Sequence, residues 1–151
     1  MSKSILLARP HPFIVAEMKP FLESSGYSVT KLESMTDLEV QAKNSVGVVI
    51  SMAVSSSLGK SAAETLTQLR QEVSHAPVMF ASILSFDESI AGLKRLADHV
   101  GVQATILGVS AKNEYSAALG KPDTFLYISK DDLADSTRRM IASHMVQRHF
   151  R

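Results

Sequence analysis

VGVVISMAVSSSLGKSAAETLTQLRQEVSHAPVMFAS, residues 46–82, is the stretch whose reading decides the fold. It opens on Val46 to Ile50, a β-branched run set between small and polar residues, the pattern of a strand buried on both faces. A loop with Ser55, Ser56, Ser57, Leu58 and Gly59 follows. Ala62, Leu66, Leu69 and Val73 then recur at the spacing of one helical face, and Pro77 to Ile83 supplies a second apolar run. Strand, helix and strand in this order predict two parallel strands joined by a right-handed crossover.

The same alternation extends outward. Ile5 to Ala8 is an apolar run ended by Arg9 and Pro10 and reads as a first strand. Phe13 or Ile14, Met18, Phe21 and Leu22 mark a helix up to Gly26, with Pro20 a helix-weakening residue inside it. Tyr27 to Leu32 reads as a strand, and Thr36 to Asn44 as a short helix capped by Thr36 or Ser34. Downstream, Phe86, Ile90, Leu93, Ala97 and Val100 form one stripe, with Asp87, Glu88, Lys94 and Arg95 outside it. Ala104 to Val109 and Thr124 to Ile128 both read as strands, separated by a short helical segment near Glu114 to Leu119. Asp132 to Phe150 reads as one long helix, acidic at its start and basic at its end, as the helix dipole favours. Its Leu133, Met140, Ile141 and Met145 are expected to bury against the sheet, any surplus forming a homodimer seam.

These elements predict an α/β fold: a doubly wound parallel sheet of five strands, six if both late runs are strands, with helices on both faces. A chain of 151 residues suits a single domain over 1–151, with an extra segment around 103–123. Apolar residues at 45% and charged residues at 21% are those of a globular chain. Sixteen Lys and Arg against 15 Asp and Glu leave a net charge of +1, too small for nonspecific nucleic-acid binding. With no cysteine there is no disulfide, thiolate nucleophile or Cys-ligated zinc. No run suits a signal peptide or membrane span, so a cytoplasmic protein without a membrane partner is the expectation.

In such sheets the working site lies at the carboxyl ends of the strands. Those ends carry Arg9 and Pro10, Ser51, Ser82, and either Val109–Ser110 or Ser129–Lys130. The frame resembles the receiver domain of bacterial response regulators, the CheY-like family, a match that covers about the first 84 residues. Gly26-Tyr27 follows the first helix as in that family, and Gly59 stands eight residues after Ser51 as its glycine follows the phosphorylated aspartate. Ser82 matches the family's phosphate-binding Thr or Ser, and Lys130 its conserved lysine, though Asp131 replaces the usual following proline. The resemblance departs where the chemistry lies. Arg9 and Pro10 stand in place of the acidic pair that binds magnesium, and Ser51 in place of the phosphoacceptor. A dication needs hard oxygen ligands, and a hydroxyl cannot form the acyl phosphate that a carboxylate makes, so neither a metal nor any other cofactor is expected.

Other chemistries find less support. Leu58-Gly59-Lys60-Ser61 ends like a Walker A loop, but Val54 stands where its first glycine belongs. His11, His75, His99, His144 and His149 show no zinc-binding spacing and read as surface or helix-end residues, with His11 able to line a pocket after the first strand. No G-x-S-x-G elbow occurs. Arg138, Arg139, His144, Arg148, His149 and Arg151 crowd the terminal helix and read as a solvated face ahead of an acidic or nucleic-acid contact. The expectation is a non-enzymatic pseudo-receiver, independent of phosphorylation, that signals by binding protein partners and can dimerise. The alternative is a small-ligand or anion-binding α/β domain, with or without enzymatic activity, using Arg9, Ser51, Ser82 and Lys130.

Overall fold

The apolar runs become six strands of one sheet. β1 (Lys3–Arg9), β2 (Tyr27–Lys31), β3 (Gly47–Ser51), β4 (Val78–Ser82), β5 (Thr105–Gly108) and β6 (Thr124–Ser129) pair in the order β2-β1-β3-β4-β6-β5, every pair parallel. The computed structural model describes residues 3–9, 14–32, 34–51, 62–73, 76–82, 84, 86–101, 105–109, 120–121 and 124–150. The expected helical segment at 114–119 and the loop at 55–59 lie outside them.

Successive side chains of a strand leave opposite faces, so each apolar run feeds two cores. Ile5, Leu7, Val49, Met79, Leu126 and Ile128 pack on one face with α1 (Lys19–Ser24), α5 (Lys130–Ala134) and α6 (Ser136–His149). Leu6, Ala8, Val48, Ile50, Phe80 and Phe125 pack on the other with α2 (Leu38–Lys43), α3 (Ala62–Glu72) and α4 (Phe86–His99). The sheet is doubly wound, as its continuous β-branched runs predict. Both late runs are strands, and β6, not β5, lies beside β4.

Three elements differ from the sequence reading. A π-helical turn at Ile14–Met18 runs directly into α1 and places Pro20 in the first turn of α1, the α-helical position at which proline is best tolerated. Ser34 does not cap α2 directly. A 3₁₀ turn at Met35–Asp37 leads into it, and the Ser34 hydroxyl accepts the Thr36 N–H at 3.4 Å. The expected long C-terminal helix is two helices, broken at Asp135, whose backbone is extended (φ −90°, ψ 126°) and whose carboxylate accepts the Arg138 N–H at 2.8 Å.

The break resets the register of α6. Ala142, Val146 and the following Phe150 face the sheet, while Met140 and Ile141, expected in the core, point outward at 57% and 41% exposure. Leu133 is buried and Met145 partly so. The end of α6 closes the amino-terminal edge of the sheet. The Phe150 ring lies where a side chain on Gly47 would sit, since a Cβ there would come within 2.0 Å of it. The Tyr27 hydroxyl donates to the Phe150 carbonyl at 2.7 Å, and its burial raises the phenol pKa.

Candidate functional site

In a parallel sheet the carboxyl ends share one edge, and a crevice opens there where adjacent strands lead to helices on opposite faces. β1 and β3 are such a pair: β1 leads to α1 on one face and β3 to α3 on the other. Arg9 pairs with Ile50, Ser51 with Ala81, and Ser82 with Ser129, so Arg9, Ser51, Ser82 and Ser129 end four neighbouring strands at this edge. Pro10, His11, Gly59 and Lys60 lie outside the described residues. Lys130 is the exposed first residue of α5, one position past the strand end where the sequence reading put it.

The two hydroxyls serve different sides of the sheet. Ser51 is 2% exposed and follows the alternation of Val49, toward α1 and α6, whereas Ser82 follows Phe80, toward α4. The Ser82 hydroxyl accepts the Leu84 N–H at 3.2 Å, which ties the turn after β4 to the strand end. Tyr127, fully buried on β6, donates its hydroxyl to the Leu84 carbonyl and shares a 2.8 Å hydrogen bond with Ser89 of α4. Burial raises the Tyr127 pKa, and hydrogen bonds with the Ser89 and Ser82 hydroxyls work against that rise. Ser82, Leu84, Ser89 and Tyr127 thus form one polar knot holding the β4–α4 connection. Tyr127 escaped the sequence reading because it was counted only as an apolar strand residue.

A second knot lies at the end of β6. The Ser129 N–H donates to Asp132 at 2.8 Å, and the Ser129 hydroxyl accepts the Asp132 N–H at 3.3 Å, a reciprocal cap on α5. The Arg138 guanidinium pairs with the other oxygen of the buried Asp132 carboxylate. Arg139 lies over the Phe21 ring at 5.1 Å and reaches the Leu133 carbonyl, and His149 is buried. The basic residues of the terminal helix are therefore not uniformly a solvated face: Arg138 and Arg139 hold α6 against the rest of the fold. Among the described residues, no group of three or more His, Asp or Glu is placed to hold a metal ion, and no helix is long and apolar enough to cross a membrane.

Chemically, the described ends of β3 and β4 offer the buried hydroxyls of Ser51 and Ser82, and the buried carboxylate at this edge, Asp132, is engaged by Ser129 and Arg138. That arrangement can accept hydrogen bonds from loops or donate to an anion. It cannot ligate a dication through Ser51 and Lys130 as a carboxylate set would.

No family model and no curated relative matches the sequence. Solved structures do. The fold is similar to the receiver domain of a sensor histidine kinase from Pseudomonas aeruginosa, solved with a magnesium ion in its active-site cleft, at a TM-score of 0.55 and 12% identity over 99% of this chain and 98% of that one. It is also similar to a response regulator receiver domain protein from Clostridium thermocellum (TM-score 0.53, 16% identity, 97% and 94% covered). An orphan response regulator of H. pylori is comparable (TM-score 0.51, 16% identity, 98% and 97% covered). The strand order agrees with the 2-1-3-4-5 order of CheY-like sheets once β6 is counted as the fifth strand and β5 as an added edge strand. The chain therefore has the CheY-like α/β fold of response-regulator receiver domains.

Proposed function

We propose that this chain is a pseudo-receiver, a cytoplasmic signalling domain that works by binding protein partners and not through a phosphorylated aspartate. The observation that carries the reading is Ser51: a buried hydroxyl closes β3 at the crevice between β1 and β3, where a receiver's carboxylate would have to stand. A serine there cannot take a phosphoryl group as an acyl phosphate, and Arg9 at the end of β1 has no carboxylate to offer magnesium. The likeness to receiver domains supports a place in signal transduction. The Ser82–Tyr127 knot, which engages its hydroxyls within the protein, supports a binding role over catalysis.

The test is a titration of isotope-labelled protein with magnesium and beryllium fluoride, a mimic of the receiver phosphoryl group, followed by backbone amide shifts. The expected outcome is no saturable change. Saturable shifts confined to Ser51, Ser82, Ser129 and Lys130 would restore phosphate-responsive switching and overturn the reading. The same shifts with inorganic phosphate and no magnesium would instead favour the anion-binding alternative at Arg9, Ser51, Ser82 and Lys130.

A further inference from the structure

The last turn of α6 is fastened to the amino-terminal edge of the sheet at several separate points. The Gln147 side chain donates to the Ser25 carbonyl at 3.0 Å, where α1 ends. The Phe150 carbonyl accepts the Tyr27 hydroxyl of β2, and the Phe150 ring fills the hollow over Gly47 at the start of β3. His149 takes the next two points: Nε2 donates to the Val78 carbonyl at the start of β4, and Nδ1 accepts the N–H of Gly120, ahead of β6. Residues 146–150 thus cross the edge from α1 to the approach of β6. The strand pairings run between neighbouring strands and none of them uses α6.

One of these fastenings depends on a proton. Nδ1 accepts from Gly120 only while it keeps its lone pair, and a proton there sets one N–H against another across 2.9 Å. It also places a positive charge in a fully buried ring, and the surroundings do not offset it. Arg70, at the end of α3, repels the charge. Glu72 of the same helix end is hydrogen-bonded by Gln68, and among the described residues no carboxylate acts on the ring. β4 presents the Val78 carbonyl alone, and Tyr27 of β2 stays neutral because burial raises its pKa. Lys121 and Arg148, the sequence neighbours of Gly120 and His149, are both cationic. The charged ring gains most by moving into water, and the strap is the smallest unit whose release moves it there with every strand pair intact.

We propose that residues 146–150 are a proton-released strap: when His149 takes up a proton, the end of α6 unlatches from the amino-terminal edge while the sheet stays folded. The device goes beyond the pseudo-receiver reading and does not rest on it, because the strap lies at the opposite edge of the sheet from Ser51, Ser82 and Ser129. α6 spans the two edges. Its first turn carries Arg138, paired with the buried Asp132 that caps Ser129, so release at one edge loosens the helix that braces the candidate site at the other.

Amide exchange followed by NMR on the unmodified, isotope-labelled protein tests the strap. His149 titrates near 6.5 when released and at about 4 when latched, so the opening constant should rise about 30-fold between pH 7.5 and pH 5. Corrected for intrinsic exchange rates, the amides of Gly120, bonded to His149, and Phe150, bonded to the Val146 carbonyl, should show that rise and stay insensitive to low urea. The Val48 amide, bonded to the Pro77 carbonyl, should exchange more slowly and with the full urea dependence of unfolding. Phe150→Ala, which empties the hollow over Gly47, should speed Gly120 exchange at pH 7.5 by roughly tenfold or more, and His149→Gln should abolish the pH dependence of the opening constant at both amides. The strap is overturned if Gly120 and Phe150 exchange only together with Val48 and with the same urea dependence. It is equally overturned if Phe150→Ala leaves Gly120 unchanged, or if the pH dependence persists in His149→Gln.

Discussion

His149 is held through both ring nitrogens. Nε2 donates to the Val78 carbonyl at 2.9 Å, Nδ1 accepts the Gly120 N–H at 2.9 Å, and the ring is fully buried. Only the neutral imidazole can make both bonds, since Nδ1 must keep its lone pair. Burial lowers the pKa from 6.5 to about 4, the charge of Arg70 acts in the same direction, and the bond to Val78 opposes both. In the unfolded chain the group titrates near 6.5. Between that value and about 4 the unfolded state therefore holds a proton that the folded state does not. Stability is full above the unfolded pKa and falls as pH drops through this window, by roughly 3 kcal/mol at its lower end. Urea midpoints measured from pH 7 to pH 4 should show the loss, and His149→Gln should flatten the slope in that interval even if it lowers stability throughout. An unchanged slope in the variant would assign the acid sensitivity to other groups. The sequence reading placed this histidine at a helix end but did not bury it. Nothing local marks it, because its partners Val78 and Gly120 lie 71 and 29 residues away.

Among the elements, the joint between α5 and α6 shows where local patterning ends. Residues 130–150 contain neither glycine nor proline, so the segment reads as one uninterrupted helix. It breaks because two aspartates take separate caps: Asp132 closes the cap with Ser129 and pairs with Arg138, and Asp135 takes the Arg138 N–H to start a new helix. Both aspartates were legible as helix-start acids. That they start two different helices was not. Asp135→Ala should lower stability by about 1 kcal/mol, within the range for losing an N-cap, and should reduce helicity in α6. Thermal melts together with amide exchange of residues 136–139 would check it, and a variant as stable as the parent would show that tertiary packing alone sets the break. Apolar residues wind around α6 without a clean stripe, which is why Met140 and Ile141 were read as core while the smaller Ala142 and Val146 took the sheet-facing positions.

At the scale of the whole molecule, the sheet order decides which strands are protected. β1, β3, β4 and β6 each pair on both sides, while β2 and β5 are the edges. Amide exchange should therefore be slowest in β1, β3 and β4, where it reports global unfolding, and fastest in β5, which is short and begins with exposed Thr105. Slow exchange throughout β5 would mean that its outer edge is covered. Position in the sheet also controls the candidate site. Had residues 105–108 paired with β4, Lys130 would have stood one strand away from Ser82. Because β6 takes that place, Ser129 ends beside Ser82 and Lys130 follows it at the same edge. By itself the sequence determined the parallel α/β class, the strand runs and the residue types at their carboxyl ends, because apolar periodicity and the absence of carboxylates at 9, 10 and 51 are local facts. Only the tertiary structure decided the order of β5 and β6, the opposite facing of Ser51 and Ser82, the burial of His149 and the exposure of Met140 and Ile141. Each of these depends on which distant backbone or side chain a residue meets, and one chain's local pattern carries no record of that.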